Sequence, residues 1–366
     1  MKRVVIFGST GQIGQSALSV IKESPDLFRV AGLYAHSNEA LLKQQSAECG
    51  GALTGLLEKG NAAFCGVVGM PEMLDQALPD IVIFAFLKSV SLAALLLSLK
   101  MGVRCLLANK ELLVSAGKLI METAERYHNP VIPIDHEHGA IFQCLLGEKQ
   151  AAVREVILTA SGGPFLYTDA KDLEEITPEL AYRHPHLQMG KRVAVNCSTL
   201  MNKGLEMIEA QRLFGLLPGQ IKAVIHPESI VQSLVTFEDG FTKAVLAPHS
   251  LAHPLRYALH FPHRASSMPG LDFSPGMKLQ FFPPDLQKFR CLALAQHAMH
   301  LGESAPCFLS SANEVLVDRF CRGELKWLAI GEKLEGLLQK HTLSKLDTLE
   351  SIFETERMGA ESARKE

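Results

Sequence analysis

The sequence lacks the features that would place it in several specialised classes of protein. Its eight cysteines have neither disulfide-like pairing nor the Cys-x-x-Cys spacing of a zinc site, so we expect free thiols in a reducing compartment. The most apolar stretch, 89–99, is too short to span a bilayer and lies between two lysines. The net charge is -3 and the basic residues are scattered, which argues against a nucleic-acid partner. The chain opens on an apparent strand rather than a secretion signal, so we expect a cytoplasmic protein with no membrane partner.

The first residues have the pattern of a nucleotide-binding turn. An apolar strand at Val4–Phe7 runs directly into Gly8-Ser-Thr-Gly-Gln-Ile-Gly14, and a helical pattern follows from about Gln15 to Lys22. Such a turn lets backbone amides and a helix N-terminus approach a pyrophosphate. The strand-turn-helix context favours nucleotide binding over a merely structural turn.

The next elements indicate a parallel, doubly wound sheet. Strand patterns at 28–34, 81–84 and 104–107 alternate with helical patterns. After the first of these strands, the segment that would read the adenosine ribose is His36-Ser37-Asn38. It has no acidic residue, which argues against strict NAD preference, and no Lys or Arg to pair with a 2'-phosphate.

A second chemistry-bearing segment is residues 131–138, which read as a buried strand running into acidic residues. Alternation along a strand would place Asp135 and Glu137 on one side and His136 on the other. Converging carboxylates repel unless a cation lies between them. His136 and His138 suggest zinc, but no zinc-type spacing supports it, so a hard ion such as Mg²⁺ or Mn²⁺ is favoured.

The third segment, 196–209, is predicted to be helical from about Thr199. Asn202, Lys203 and Glu206 would then fall within one turn. Glu206 would supply a third oxygen ligand for the ion, since such groups are costly to bury without partners. The alternative is a solvated Lys-Glu pair on an amphipathic helix.

Several longer motifs occur in order along nearly the whole chain. They are the Gly8–Gly14 turn, Ala108–Glu111, Asp135–His138, Ala160–Phe165, His184–Gly190, Asn202–Glu206, Ile225–Ser229 and Ser311–Glu314. Together they resemble the 1-deoxy-D-xylulose 5-phosphate reductoisomerase family, and several motifs in the right order are far more specific than any one of them.

The resemblance implies a homodimeric α/β enzyme with three parts: a Rossmann-like doubly wound NADPH domain, a central α/β catalytic domain with a mobile flap, and a C-terminal helical bundle. On this sequence the expected bounds are 1–134 for cofactor binding, 135–265 for catalysis and dimerisation, 266–285 for a linker and 286–366 for the bundle. Leu286 onward is helical in pattern, and the charged end from Thr355 is expected to fray.

The implied reaction is the NADPH- and Mg²⁺- or Mn²⁺-dependent conversion of 1-deoxy-D-xylulose 5-phosphate to 2-C-methyl-D-erythritol 4-phosphate, for isoprenoid precursors. Matching positions imply the metal ligands Asp135, Glu137 and Glu206. Those implied for catalysis on the small phosphorylated substrate are Lys110, His136, Ser161, His184, Cys197, Asn202, Lys203 and His226. Those implied for the cofactor are Thr10, Gly11, Gln12, Ile13, His36, Ser37, Asn38, Asn109, Glu111 and Gly190.

Departures from the family pattern cluster at the implied substrate pocket. His136 and Cys197 each stand where the family has Ser, and Leu187 replaces the flap Trp. A thiol is a weaker hydrogen-bond donor than a hydroxyl. Gln12 and Ser37 are milder changes, at positions that are often Ser and Lys. The departures leave open a related NAD(P)H-dependent oxidoreductase acting on another hydroxy-keto phosphate or phosphonate, and also a catalytically inactive NADP-binding regulator.

Overall fold

The chain divides into two compact units. The computed structural model describes residues 1–86, 88–183, 190–248, 250–265 and 268–366. The first unit comprises Met1–Leu112, Ile120–Phe142 and Ser250–Pro269. The second comprises Leu113–Leu119, Gln143–His249 and Gly270–Glu366.

The first unit is built on a parallel seven-stranded sheet, as the sequence predicts. Its strands, in chain order, are β1 (Lys2–Phe7), β2 (Phe28–Ala35), β3 (Leu53–Leu56), β4 (Phe64–Cys65), β5 (Ile81–Phe84), β6 (Arg104–Leu107) and β7 (Val131–Pro133). The strand order is β4-β3-β2-β1-β5-β6-β7. The order reverses at β1, and in doubly wound folds ligands bind outside the carboxyl ends of the strands at such a point.

Helices follow most strands of this unit. They are α1 (Gln12–Lys22), α2 (Glu39–Glu48), α3 (Gly69–Ala77), α4 (Leu92–Lys100), α5 (Lys110–Arg126), α6 (His136–Leu145) and, from later in the chain, α10 (Ala252–His260). The central strands are buried on both faces, which explains their nearly continuous apolar sequences. Leu255 and Leu259 of α10 join the same core as β1 and β2.

The structure corrects the predicted start of the first helix. It begins at Gln12, three residues earlier than the predicted Gln15, and Gly11 is its N-cap. The residues Gln12 and Ile13 are therefore the first turn of α1 and not part of a loop. Glycine at the N-cap has no side chain that could cap the first-turn amides.

The structure also corrects the interpretation of Asp135–His138 as the end of a strand. β7 stops at Pro133, whose ring nitrogen has no hydrogen to donate, and α6 begins at His136. The amide of Gly139 donates to the carbonyl of Asp135 at 2.9 Å, which is the first helical bond. Strand alternation therefore does not decide which way Asp135, His136 and Glu137 point.

The second unit contains a four-stranded sheet of order β11-β10-β8-β9. Its strands are β8 (Val153–Ala160), β9 (Ile221–Ile225), β10 (Val231–Phe237) and β11 (Thr242–Leu246). β8 and β9 are parallel, whereas β10 is antiparallel to both β8 and β11. β11 lies at one edge and is largely exposed.

The remaining helices also belong to the second unit. They are α7 (Pro178–Ala181), α8 (Lys191–Ser198), α9 (Met201–Phe214), α11 (Arg290–Leu301), α12 (Ala305–Cys321), α13 (Trp327–Lys340) and α14 (Leu349–Lys365). The predicted helix from about Thr199 is confirmed but begins at Met201, because Leu200 adopts the left-handed conformation with φ 57°. The helical pattern expected from Leu286 begins at Arg290.

The expectation of a frayed C-terminus is wrong. α14 continues to Lys365 and buries Thr355, Gly359 and Ala363. A Cβ at Gly359 would lie 2.6 Å from the carbonyl oxygen of Phe308, so the two helices approach closely there. The Arg319 guanidinium donates to the Ala363 carbonyl at 2.9 Å and holds the last turn in place.

The sequence predicts neither a membrane-spanning helix nor a disulfide bond. No helix among the described residues is long and apolar enough to cross a membrane. All eight cysteines are free thiols, as expected from their spacing.

Candidate active site

The first part of the candidate site is the turn between β1 and α1. The amides of Gly8 and Ser9 both donate to the Tyr34 carbonyl, at 2.8 and 3.0 Å, which fixes the turn to β2. Gly8 has φ +96°, and a Cβ at that position would lie 2.7 Å from the Ala85 backbone. A Cβ at Gly14 would collide with the Gly8 carbonyl. Only glycine therefore fits at both positions. The residues between them that were predicted to bind the cofactor are at least partly exposed: Thr10, Gly11, Gln12 and Ile13.

The carboxyl end of β2 forms the rim beside this turn. Asn38 caps α2 by accepting a hydrogen bond from the Leu41 amide at 3.1 Å. His36 and Ser37 are exposed. The His36 Nδ1 atom lies 3.5 Å from a carboxylate oxygen of Glu58, which follows β3. A carboxylate from the segment after β3 therefore lies beside the segment after β2, which has none of its own, a relationship that the local sequence does not reveal.

The N-terminus of α5 carries three of the predicted site residues. Asn109 is buried and caps the helix by accepting from the Leu112 amide at 3.2 Å. Lys110 and Glu111 form its first turn. The Lys110 Nζ atom lies 3.6 Å from Asp135 Oδ2, and both side chains are mostly shielded. The structure thus brings a predicted substrate residue and a predicted metal ligand together within the first unit.

α6 places the remaining ligand-type residues of the first unit on one helical turn. His136 and Glu137 are half-buried, and His138 is completely buried. The predicted third carboxylate, Glu206, belongs to the second unit.

In the second unit, α9 carries the polar cluster that the sequence predicted. Lys203 forms an ion pair with Glu206, and the two side chains are 4% and 3% exposed. The Asn202 amide donates to the other Glu206 oxygen at 2.5 Å. The alternative of a solvated surface pair is therefore wrong. Glu209, one turn further on, is also fully buried and was not singled out from the sequence.

The loop after β8 and helix α8 form an adjoining surface. The Gly163 amide donates to Ser161 Oγ at 3.3 Å. Gly163 has φ +66°, and a Cβ there would lie 2.8 Å from the Cys197 carbonyl, so the loop lies directly against α8. Ser161 and Cys197 are both half-buried. The structure thus places the loop that carries Ser161 against the helix that carries Cys197.

Several supporting residues were not predicted. Trp327 donates through Nε1 to Ser198 Oγ at 2.9 Å and meets Phe165 edge-on at 5.6 Å. Asn313, on α12, donates to the Asn196 side chain at 2.9 Å. The single tryptophan and the Ser311–Glu314 motif were visible signals, but their partners lie 129 and 117 residues away along the chain.

His226 is fully buried and uses both ring nitrogens within the protein. Its Nε2 accepts from the amides of Ile230 and Val231, at 3.2 and 3.1 Å. The ring proton must therefore be on Nδ1, which lies 2.8 Å from the Gln280 carbonyl and 3.0 Å from Glu228. The ring also stacks on Phe281. These contacts tie the segment after β9 to residues 280–281.

One predicted substrate residue, His184, and the flap residues Leu187 and Met189 lie outside the described residues. Gly190 is described and is the exposed N-cap of α8.

Comparison with known proteins supplies independent information on the family. Models of the 1-deoxy-D-xylulose 5-phosphate reductoisomerase and of its C-terminal domain match residues 4–117 and 131–214, and a model of the DXP reductoisomerase C-terminal domain matches 246–362. The chain is 41% identical to the reductoisomerase of Protochlamydia amoebophila, covering 99% of this chain and 98% of the relative. It is 37% identical to that of Chlamydia caviae, with 98% of each covered.

Solved structures agree. A DOX-P reductoisomerase in complex with NADPH, fosmidomycin and magnesium is 31% identical, with a TM-score of 0.93 over 100% of this chain and 98% of that one. The Zymomonas mobilis enzyme in complex with NADPH is 29% identical, with a TM-score of 0.92 over 99% and 98%. Sequence and fold both match over almost the full length, and the chain therefore belongs to the 1-deoxy-D-xylulose 5-phosphate reductoisomerase family.

Proposed function

We propose that this chain is an NADPH- and divalent-metal-dependent reductoisomerase that converts 1-deoxy-D-xylulose 5-phosphate to 2-C-methyl-D-erythritol 4-phosphate. The observation that carries the proposal is the buried cluster of Asn202, Lys203 and Glu206 on α9. A protein that only binds a nucleotide has no need to bury an ammonium and a carboxylate far along the chain from the nucleotide-binding turn, since such burial is costly.

The first unit fits a dinucleotide. Glycines at positions 8 and 14 allow the turn to pack tightly, and the uncapped first-turn amides of α1 suit a pyrophosphate. The surrounding residues proposed for the cofactor are Thr10, Gly11, Gln12, Ile13, His36, Ser37, Asn38, Asn109, Glu111 and Gly190. Asn109 and Asn38 cap helices, so the side-chain oxygen of each already accepts a hydrogen bond from a backbone amide.

The proposed metal ligands also fit a hard divalent cation. Asp135, Glu137 and Glu206 are all carboxylates, and Mg²⁺ and Mn²⁺ prefer oxygen ligands. Asp135 and Glu206 are mostly shielded from water, which favours a bound ion over a solvated charge. When bound, the metal supplies Lewis acidity at the substrate oxygens and NADPH supplies the hydride.

The protein's own residues have binding and orienting roles in this proposal. The ammonium groups of Lys110 and Lys203 stand next to carboxylates and can donate to substrate oxygens. Ser161 and Cys197, brought together by the glycine loop, are proposed to contact the phosphate. His226, with both nitrogens engaged, is proposed to position its segment rather than to contact the substrate. Asn202, His136 on the first turn of α6, and His184 complete the proposed substrate set.

The test is oxidation of NADPH by the purified protein with 1-deoxy-D-xylulose 5-phosphate and Mn²⁺, with NADH in parallel. Turnover of about 1 per second or more, dependent on metal, supports the proposal. Tight NADPH binding without turnover of this substrate contradicts it.

We further propose a cytoplasmic homodimer with the domain bounds 1–134, 135–265, 266–285 and 286–366. The exposed edge strand β11 supports a dimer contact through the four-stranded sheet, since such edges are usually covered. Eight free thiols support a reducing compartment. Analytical ultracentrifugation tests the dimer, and a monomer at micromolar concentration would contradict it.

A further inference from the structure

A small cavity lies in the second unit beside an interruption in helix α5. Ala116 has φ −122° and ψ 15°, so the helix consists of two segments that meet at this residue. The cavity has a volume of about 170 Å³. Its lining residues are Val114, Ser115, Ala116, Gly117, Lys118, Arg212, Glu303, Lys345, Leu346 and Asp347. None of these residues belongs to the proposed cofactor, substrate or metal sets.

Arg212, near the end of α9, is the unusual member of the lining. Its aliphatic stem lies across Gly117, where a Cβ would come within 2.5 Å of Arg212 Cγ. Its Nε atom is buried and has no hydrogen-bond partner among the described residues. Burial is the cause that lowers the pKa of this guanidinium.

A shielded guanidinium without a counter-charge is unfavourable, because arginine keeps its proton and loses hydration. The other lining charges do not relieve it. Lys118 and Asp347 pair with each other at 2.6 Å. The lining holds three cationic side chains against two acidic ones, so with that pair set aside Arg212 and Lys345 stand against the single carboxylate of Glu303, an excess of one positive charge.

The interruption in α5 adds to this excess. The second helical segment begins at the cavity, since Gly117 and Lys118 both line it. The first amides of a helical segment carry partial positive charge and point towards an anion placed there. A flexible ammonium group, a planar guanidinium and the start of a helical segment therefore line one small space.

We propose that this cavity binds a small oxyanion of the phosphate type, held by the Arg212 fork and the Lys345 ammonium. Guanidinium groups recognise phosphate oxygens through two parallel hydrogen bonds. About 170 Å³ is several times the roughly 30 Å³ that one water occupies in the liquid, so a phosphate fits. The same volume is below the range of about 300 Å³ or more that larger organic ligands need.

The test compares thermal unfolding of the whole protein in sodium phosphate with unfolding in sodium chloride of equal ionic strength. The variants are Arg212→Met and, as a matched control, Arg322→Met, whose guanidinium is exposed and paired with Glu324. At a phosphate concentration ten times the dissociation constant, we expect the midpoint of the wild type and the control to rise by about 2 °C. Arg212→Met should lose this saturable rise.

The design separates this cavity from the active site and from general salt effects. Phosphate bound at Ser161 or Cys197, or a stabilising effect of the salt, would raise the midpoint of Arg212→Met as much as that of the wild type, and that result would overturn the proposal. The proposal would also be overturned if the unfolding midpoint of the wild type showed no saturable rise with phosphate. If Arg212→Met does not fold, Lys345→Met replaces it, since Lys345 is exposed, and should weaken phosphate binding several-fold in calorimetry.

Discussion

Lys203 and Glu206 form an ion pair one turn apart on α9, where both side chains are almost completely shielded from solvent. Asn202 donates to the same carboxylate. The charge on Glu206 is therefore compensated from its own helix, and the helix can present a carboxylate inside the protein. The cost of burying each charge is offset only while the other is present.

Glu206→Gln should abolish metal-dependent turnover, because an amide oxygen is a poorer ligand for Mg²⁺ or Mn²⁺ than a carboxylate. We expect the loss to exceed the roughly 100-fold that removal of a supporting residue costs. NADPH affinity, measured by fluorescence titration, should stay within a few-fold. Glu332→Gln, at an exposed position on α13, is the control and should behave like the wild type. An active Glu206→Gln enzyme would refute the metal assignment.

The same variant should also be less stable, since Lys203 remains buried without its carboxylate. Breaking such a pair costs about 3–5 kcal/mol, whereas removing both charges costs much less. Denaturant unfolding should therefore show that Lys203→Met together with Glu206→Gln is more stable than Glu206→Gln alone. Equal stabilities of the double variant and of Glu206→Gln would mean that the Lys203 ammonium pairs with another group when the carboxylate is absent.

Gly14→Ala should weaken NADPH binding and lower stability together. The new Cβ would lie 2.6 Å from the Ser9 Cα atom, so the turn must shift. Overpacking of this kind costs about 1–3 kcal/mol. Gly219→Ala is the control, because a Cβ there meets nothing within 4 Å. Unchanged NADPH affinity in Gly14→Ala would contradict the placement of the pyrophosphate.

Cys197→Ser should lower the KM for the phosphorylated substrate by about 3- to 10-fold, because a hydroxyl is the stronger hydrogen-bond donor. Adding His136→Ser tests whether the imidazole restricts the same substrate. Cys321→Ser, on α12, controls for loss of a thiol. If steady-state kinetics show no change in KM, neither Cys197 nor His136 governs substrate affinity.

His36→Ala should reduce NADPH affinity by about tenfold and leave NADH affinity unchanged. An imidazole N–H can donate to the 2'-phosphate, and a hydrogen bond to a charged group is worth about 1.5–3 kcal/mol. Direct titration of both nucleotides is the measurement. An equal loss for NADH would show that His36 does not read the phosphate.

Stability should fall below about pH 6.5 in part because of His341. Burial lowers the pKa of this imidazole below its ordinary value of 6.5. The unfolded chain then binds a proton before the folded one does, so stability is lost as the pH falls below 6.5. Ser304 Oγ lies 2.8 Å from Nε2 and accepts from the Ser344 amide, so its hydroxyl hydrogen is available for the neutral ring.

His341→Phe can keep the stacking on Phe308 and cannot be protonated. Between pH 7.5 and 5.5, its unfolding midpoint should fall less than that of the wild type. A residual fall should remain, because burial and the charge of Arg256 also lower the pKa of His253. If the unfolding midpoint falls equally in the wild type and in His341→Phe, protonation of His341 does not cause the loss of stability.

The sequence predicted some elements without error and others poorly, for physical reasons. β5 and β6 have the predicted bounds because strands buried on both faces are continuous apolar runs. The segment after β7 was misjudged because alternation over four residues is a weak signal. Asp135 before a helix is instead the pattern of an N-terminus. In α14, charged residues obscured the spacing of Ile352, Thr355, Gly359 and Ala363 that buries one face.

For the candidate site, local patterns predicted the cluster on α9 because its members are neighbours in the chain. They could not predict contacts such as Asn313 with Asn196 or His36 with Glu58, which depend on how distant elements pack. Nor does the sequence reveal that both nitrogens of His226 are engaged.

The hydrogen bond between Trp327 and Ser198 has a practical consequence. Trp327 is the chain's single tryptophan, and it is buried against the helix that carries Cys197. The intrinsic fluorescence of the protein therefore originates from one indole next to the proposed phosphate-binding surface. Its emission provides a label-free signal for occupancy of that surface, readable in a stopped-flow instrument in the absence of NADPH.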